Sequence, residues 1–241
     1  MKRLLPFLFF AFLSFSLNAQ THSPLAITHL TGNFYIYTTW RTIDDGPYPA
    51  NSMYLVTKSG IVMFDTPWDT TQFQPFMDSI EARYHKKVLF SISTHFHADR
   101  TAALDFLKSK GIKTYSSKMT YDLCKERHEK QAQYYFTKDT TFTIDGYIIE
   151  AFYPGPGHTQ DNIVVWLPHE KILYGACFVK SPATESIGFT DDADLKDWPA
   201  SIRKVMAHCP NPVYVIPGHL DWQNNTSLQH TMDLLTKLGY K

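Results

Sequence analysis

Apolar positions along this chain follow two spacings. Short runs rich in β-branched and aromatic residues at 33–37, 52–56, 60–64, 88–93, 112–115 and 213–216 have the length and composition of strands. Longer segments at 71–84, 101–110, 118–130, 195–208 and 227–238 read as helices, the second of them stopped by Gly111. Residues 141–153 predict a hairpin turning at Asp145-Gly146, and 162–167 joins 172–175 in a second hairpin. Residues 40–50, with Gly46, Pro47 and Pro49, read as a polar loop between two strands. Strands alternating with helices, with hairpins mixed in, imply an α/β layered arrangement with a mixed sheet.

Composition narrows the class. The 241 residues are 44% hydrophobic and 19% charged, which suits a globular chain with a sizeable core. Lys+Arg and Asp+Glu are both 23, so there is no global basic field and nucleic acid is not expected as a partner. Met1-Lys2-Arg3, the apolar run 4–17 and Asn18-Ala19-Gln20 together read as a secretory signal peptide, 1–19, cut after Ala19. The run is shorter than the ~20 residues of a spanning helix. Residues 20–241 are then one exported domain, expected in the periplasm without stable membrane association and as a monomer. Cys124, Cys177 and Cys209 make an odd count for an exported protein. A metal-bound thiolate would account for one of them; whether Cys124 and Cys209 pair is open at this level.

The run His95-Phe96-His97-Ala98-Asp99-Arg100 follows the apolar stretch at 88–93. In extended backbone, side chains two apart leave on the same side, so His95 and His97 can close on one ion. His and Asp suit zinc. More candidate ligands follow in Gly157-His158-Thr159, Gly175-Ala176-Cys177 and Pro217-Gly218-His219. His95, Asp99, His158, Cys177 and His219 all fall at or just past predicted strand ends, where sites collect in α/β sheets.

These pieces, with Lys180 and the stretches Asp65-Thr66-Pro67-Trp68 and 161–168, resemble the class B, subclass B1 metallo-β-lactamases, and the flavobacterial-type members most. The resemblance runs over nearly all of the mature chain. It implies a four-layer αββα sandwich with the site at one edge of the sheets. It implies two zinc ions per chain, the first on His95, His97 and His158, the second on Asp99, Cys177 and His219. Three protein ligands per ion leave room for water, as a catalytic zinc requires. Arg100 occupies a position where the wider superfamily often has a further His ligand. Arginine cannot donate a lone pair, so the second ion needs another ligand, and Cys177 is available.

The implied activity is zinc-dependent hydrolysis of the β-lactam amide of penicillins, cephalosporins and carbapenems by a zinc-bound hydroxide, conferring antibiotic resistance. Asp99 would orient the hydroxide while holding the second zinc. Lys180 would bind the substrate carboxylate, the role of that position in the family. Residues 40–50 resemble the family's mobile flap, from which Trp40 or Ile43 would cover apolar substrate groups. Asp65 and Arg100 are placed behind the ligands, orienting one of them or pairing with each other. Phe189 stands where many members have an Asn that helps polarise the carbonyl, and phenylalanine cannot donate that hydrogen bond. Two competing readings are a thioesterase or other hydrolase on the same scaffold and an exported zinc-binding protein without catalysis.

Overall fold

A computed structural model describes residues 25–43 and 46–241. The expected signal peptide lies outside the described residues. The first sheet has seven strands in chain order: β1 (Leu25–Thr31), β2 (Phe34–Ile43), β3 (Gly46–Val56), β4 (Ile61–Phe64), β5 (Val88–Ser93), β6 (Lys113–Ser117) and β7 (Tyr134–Phe136). β1 to β4 pair antiparallel, and β4 to β7 pair parallel. The second sheet contains β8 (Thr140–Ile144), β9 (Tyr147–Phe152), β10 (Val164–Leu167), β11 (Ile172–Ala176) and β12 (Tyr214–Pro217), in the order β12-β11-β10-β9-β8. Only the β11–β12 pair is parallel there. The helices are α1 (Thr70–Tyr84), α2 (Ala98–Thr101), α3 (Leu104–Ser109), α4 (Lys118–Glu126), α5 (Trp198–His208) and α6 (Ser227–Lys237).

Strand alternation produces the layers. On β4, Val62 and Phe64 enter a core shared with Val165, Leu167, Ile172 and Ile216 of the second sheet. Their neighbours Ile61 and Met63 face the other way, onto Phe76, Met77 and Ile80 of α1. The second sheet divides in the same manner: Val164, Leu173 and Val215 turn outward onto Trp198, Ile202 and Val205 of α5 and Leu234 and Leu235 of α6. Successive side chains of a strand leave on opposite faces, so two sheets with both faces apolar need three cores. The result is the expected αββα sandwich.

Two elements differ from the sequence reading. The segment 40–50 is not a loop but the outer half of a long antiparallel arm, paired continuously from Thr39↔Ala50 to Ile43↔Gly46. The prolines that suggested a loop are accommodated by parity. The Asn51 N–H points away from β2, to Gly218 O at 2.8 Å. Pro47 and Pro49 share that parity, so their missing donors fall on the edge not used by β2. The predicted helix 101–110 is instead two short pieces, α2 and α3. Edge strands β1 and β7 complete the first sheet, and the sequence pattern does not mark them.

Candidate metal centre

The site forms where four connections meet at one edge of the sandwich. β5 runs into Thr94-His95-Phe96-His97, and His97 caps the N-terminus of α2 in extended conformation. Asp99 and Arg100 lie within α2. His158 follows β9, Cys177 follows β11 and His219 follows β12. Gly157 has no space for a Cβ, which would lie 2.5 Å from Phe178 Cε2 and 2.9 Å from Trp198 Cδ1. Asn162 fixes the same loop: its Nδ2 donates to Gly155 O and its Oδ1 accepts from the Thr159 N–H, both at 3.0 Å.

All six candidate ligands converge. The rings of His95, His97 and His158 lie 5.0–5.1 Å apart centroid to centroid, with His158 Nε2 3.2 Å from His97 Nδ1. Beside them, Cys177 Sγ is 3.2 Å from Asp99 Oδ2 and 3.1 Å from His219 Nε2, and His219 Nε2 is 3.2 Å from Asp99 Oδ2. Zinc bonds of about 2.0–2.3 Å at tetrahedral angles set donor atoms roughly 3.3–3.8 Å apart. The Asp99, Cys177 and His219 donors, 3.1–3.2 Å apart, and the His97–His158 pair at 3.2 Å are close to that spacing, and the groups His95/His97/Asp99 and His95/His158/Cys177 each lie within 4.8 Å. His95 Nε2 is buried with no hydrogen-bond partner and lies 4.0 Å from Asp99 Oδ1, the boundary between the clusters. A buried imidazole nitrogen left alone costs free energy that a cation would recover.

Electrostatics prepare the donors. Burial lowers the proton affinity of His95, His158 and His219 below the ordinary histidine value, leaving lone pairs available at neutral pH. Burial is the largest influence on Asp99 and works against its ionised form, but Arg100 together with His219 and His95 outweighs it and holds the carboxyl well below the usual range. Burial pushes the Cys177 thiol up, with Arg100 acting in the opposite sense; a bound metal displaces such a proton.

The groups behind the ligands are ordered. Arg100 is fully buried, and its Nη2 donates to Cys177 Sγ and Gly218 O, both at 2.9 Å, with Asp99 Oδ2 also at 2.9 Å. Its Nη1 donates to Asn51 O at 2.7 Å and lies 3.6 Å from Asp65 Oδ2. Asp65 accepts from the Thr94 N–H at 2.7 Å, the Thr94 hydroxyl at 2.9 Å and the Tyr174 hydroxyl at 2.6 Å. Asp65 thus both pairs with Arg100 and fixes the residue ahead of His95. Two more supports had no signal in the sequence. Asp192 Oδ2 sits 2.9 Å from His97 Nε2, and Pro49 O sits 2.7 Å from His219 Nδ1.

The mouth carries the remaining expected residues. Lys180 is buried with its ammonium 5.3 Å from the centroid of the Trp198 ring, and burial lowers its pKa to about 8. Phe189 is exposed and meets His97 edge-on at 5.7 Å. Trp40 receives Gln72 Nε2 on its carbonyl at 2.7 Å, and no ring contact ties its indole to the ligands. The aromatic groups beside the ligands are instead Tyr48 and Trp68, 5.0 and 6.1 Å from His219. Tyr48 belongs to the β2–β3 arm, whose composition predicts a loop.

A sequence profile of the Metallo-beta-lactamase superfamily matches residues 45–219, which include every one of these ligands. The chain belongs to this superfamily. A metallo-beta-lactamase type 2 of Elizabethkingia meningoseptica is 40% identical over 92% of this chain and 89% of its own length. The metallo-beta-lactamase IND-1 of Chryseobacterium indologenes is 37% identical over 86% and 87% of the two chains. Among solved structures, a metallo-beta-lactamase from Pontibacter korlensis superposes with a TM-score of 0.85 at 33% identity, covering 88% of this chain and 99% of that one. This is a metallo-β-lactamase fold with a donor set suited to zinc, and the flavobacterial affinity expected from the motifs holds.

Proposed function

We propose that this chain hydrolyses the β-lactam amide of penicillins, cephalosporins and carbapenems, using two zinc ions, and so confers resistance to those antibiotics. The observation that carries this reading is the convergence of six donors in three overlapping triplets, His95/His97/Asp99, His95/His158/Cys177 and Asp99/Cys177/His219, which two ions would divide as His95/His97/His158 and Asp99/Cys177/His219. When bound, zinc would supply Lewis acidity toward the lactam carbonyl and departing nitrogen, and water acidified to a pKa near ~7 as nucleophile.

The chain's own groups do the rest. Asp99, kept ionised by Arg100, accepts a hydrogen bond from the attacking water and sets its direction. Lys180 draws the substrate carboxylate toward the Trp198 side of the mouth. Phe189 offers the substrate an apolar face and no hydrogen-bond donor, so no side-chain amide at this position polarises the carbonyl. Tyr48 and Trp68 cover apolar substrate groups from the β2–β3 side; Trp40 takes part through the same arm. Among the described residues no helix is long and apolar enough to cross a membrane. The N-terminal signal pattern supports export, and we take residues 20–241 to work in the periplasm as a single domain and a monomer.

The test is hydrolysis of one penicillin, one cephalosporin and one carbapenem by zinc-loaded protein, with and without a chelator. Turnover of all three that the chelator abolishes and zinc restores is the expected result. Zinc-replete protein that opens none of the rings would return the choice to a different hydrolase or a non-catalytic zinc protein.

A further inference from the structure

The two walls of the mouth come from different sheets, and each carries a cation. Lys180 follows β11 in the second sheet. In the first sheet, Arg41 on β2 stands directly across from Tyr48 on β3. Its guanidinium carbon lies 5.7 Å from the centroid of the Trp68 ring, the ring that also borders His219. Arg41 is exposed and forms no ion pair with any carboxylate among the described residues. Glu129, the acidic group whose field reaches both His97 and Arg41, does not close on it. A guanidinium stacked on an indole keeps its N–H edges open, and the stack restricts the rotamers that binding would otherwise have to freeze.

We propose that Arg41 reads a second anionic group on the substrate, so that the pocket favours β-lactams whose acyl side chain carries its own carboxylate. This rests on the β-lactamase reading above. In a bicyclic β-lactam the ring carboxylate and the acylamino side chain leave from opposite ends of the fused nucleus. With the ring carboxylate at Lys180 and the lactam carbonyl over the ligand clusters, the side chain extends to the wall built by the first sheet. There Trp68 and Tyr48 give it aromatic surface, and the planar fork of Arg41 matches a carboxylate with two parallel hydrogen bonds. The site is a rim position, so the discrimination is modest, roughly three- to fivefold.

Two penicillins that differ only by a carboxylate on the side-chain carbon, benzylpenicillin and its α-carboxy derivative, test this with zinc-loaded wild type, Arg41→Gln and Arg41→Lys. The readout is the ratio of kcat/KM for the dianionic over the monoanionic substrate. In Arg41→Gln the ratio falls roughly three- to fivefold, mainly through KM, and Arg41→Lys recovers part of it. Added salt lowers the ratio in wild type and leaves it flat in Arg41→Gln. A ratio unchanged by Arg41→Gln, including one in which both substrates lose activity in parallel, overturns the proposal. Failure of wild type to open either penicillin is a separate result: it removes the hydrolase reading and this proposal with it.

Discussion

At the scale of single residues, Arg100 connects the most parts of the site. One guanidinium reaches Cys177, Asp99, Gly218, Asn51 and Asp65, each on a different segment. Removing one member of a buried charged set leaves the others uncompensated, at about 3–5 kcal/mol. Arg100→Ala is therefore expected to lose that much unfolding free energy in urea denaturation of the metal-free protein; a loss under about 1 kcal/mol would show that the set is not coupled. Arg100→Lys recovers only part, because a single ammonium cannot serve the same fork. Asp192 touches one candidate ligand, His97, through Oδ2, while its Oδ1 lies 3.5 Å from Arg127 Nη2. Its replacement by Ala is expected to weaken metal binding by about 10–100-fold in competition with a chromophoric chelator, and unchanged affinity would reduce it to a surface contact. Lys180 gives the pH dependence. Trp198 packs on it, and the charges of Cys177 and Asp99 raise its pKa while Arg100 and, above all, burial lower it, to about 8. A cation is lost above its pKa, so KM for carboxylate-bearing substrates is expected to climb as pH passes about 8, and to stay flat there in Lys180→Arg. The six candidate ligands were legible because their residue types recur in short motifs at strand ends. Asp192 was not: it meets His97 from 95 residues away, and no local spacing marks it.

At the scale of elements, the β2–β3 arm shows what local composition conceals. Gly46, Pro47 and Pro49 signal a loop, yet the ladder runs through them because the prolines use the edge that β2 does not need. The arm places Tyr48 and Pro49 O against His219, so the strand reading changes the site as well as the fold. β5, by contrast, matched its apolar run at both ends, since a buried central strand is fixed by its own residues. The sequence pattern does not mark β1 and β7, because edge strands are defined by what they pair with. The turn after β12 is more demanding. A Cβ on Gly218 would lie 2.6 Å from Cys177 N and 2.7 Å from Arg100 Nη2. Gly218→Ala is expected to force these groups apart, lowering zinc content toward one ion per chain while the His95, His97 and His158 cluster keeps its metal. Full zinc content in a folded Gly218→Ala protein would contradict the tight packing of this turn.

At the scale of the whole molecule, the sandwich brings distant segments to one edge. Candidate ligands from residues 95 to 219 meet because β5, β9, β11 and β12 all deliver their following connections there. Alternating faces and three cores hold those connections in place, while the chemistry lies outside the cores in loops with buried polar supports. That division explains why the layers could be anticipated from periodicity and Asp65 and Arg100 from the family resemblance, whereas supports such as Asp192 and the Pro49 carbonyl could not. The central claim is that two separate three-residue sets each hold a zinc ion. Counting zinc per chain by native mass spectrometry, in wild type and in Cys177→Ala, tests it most directly. Two ions in wild type and one in Cys177→Ala is the expected result; a single ion in both proteins, or two in both, would contradict it.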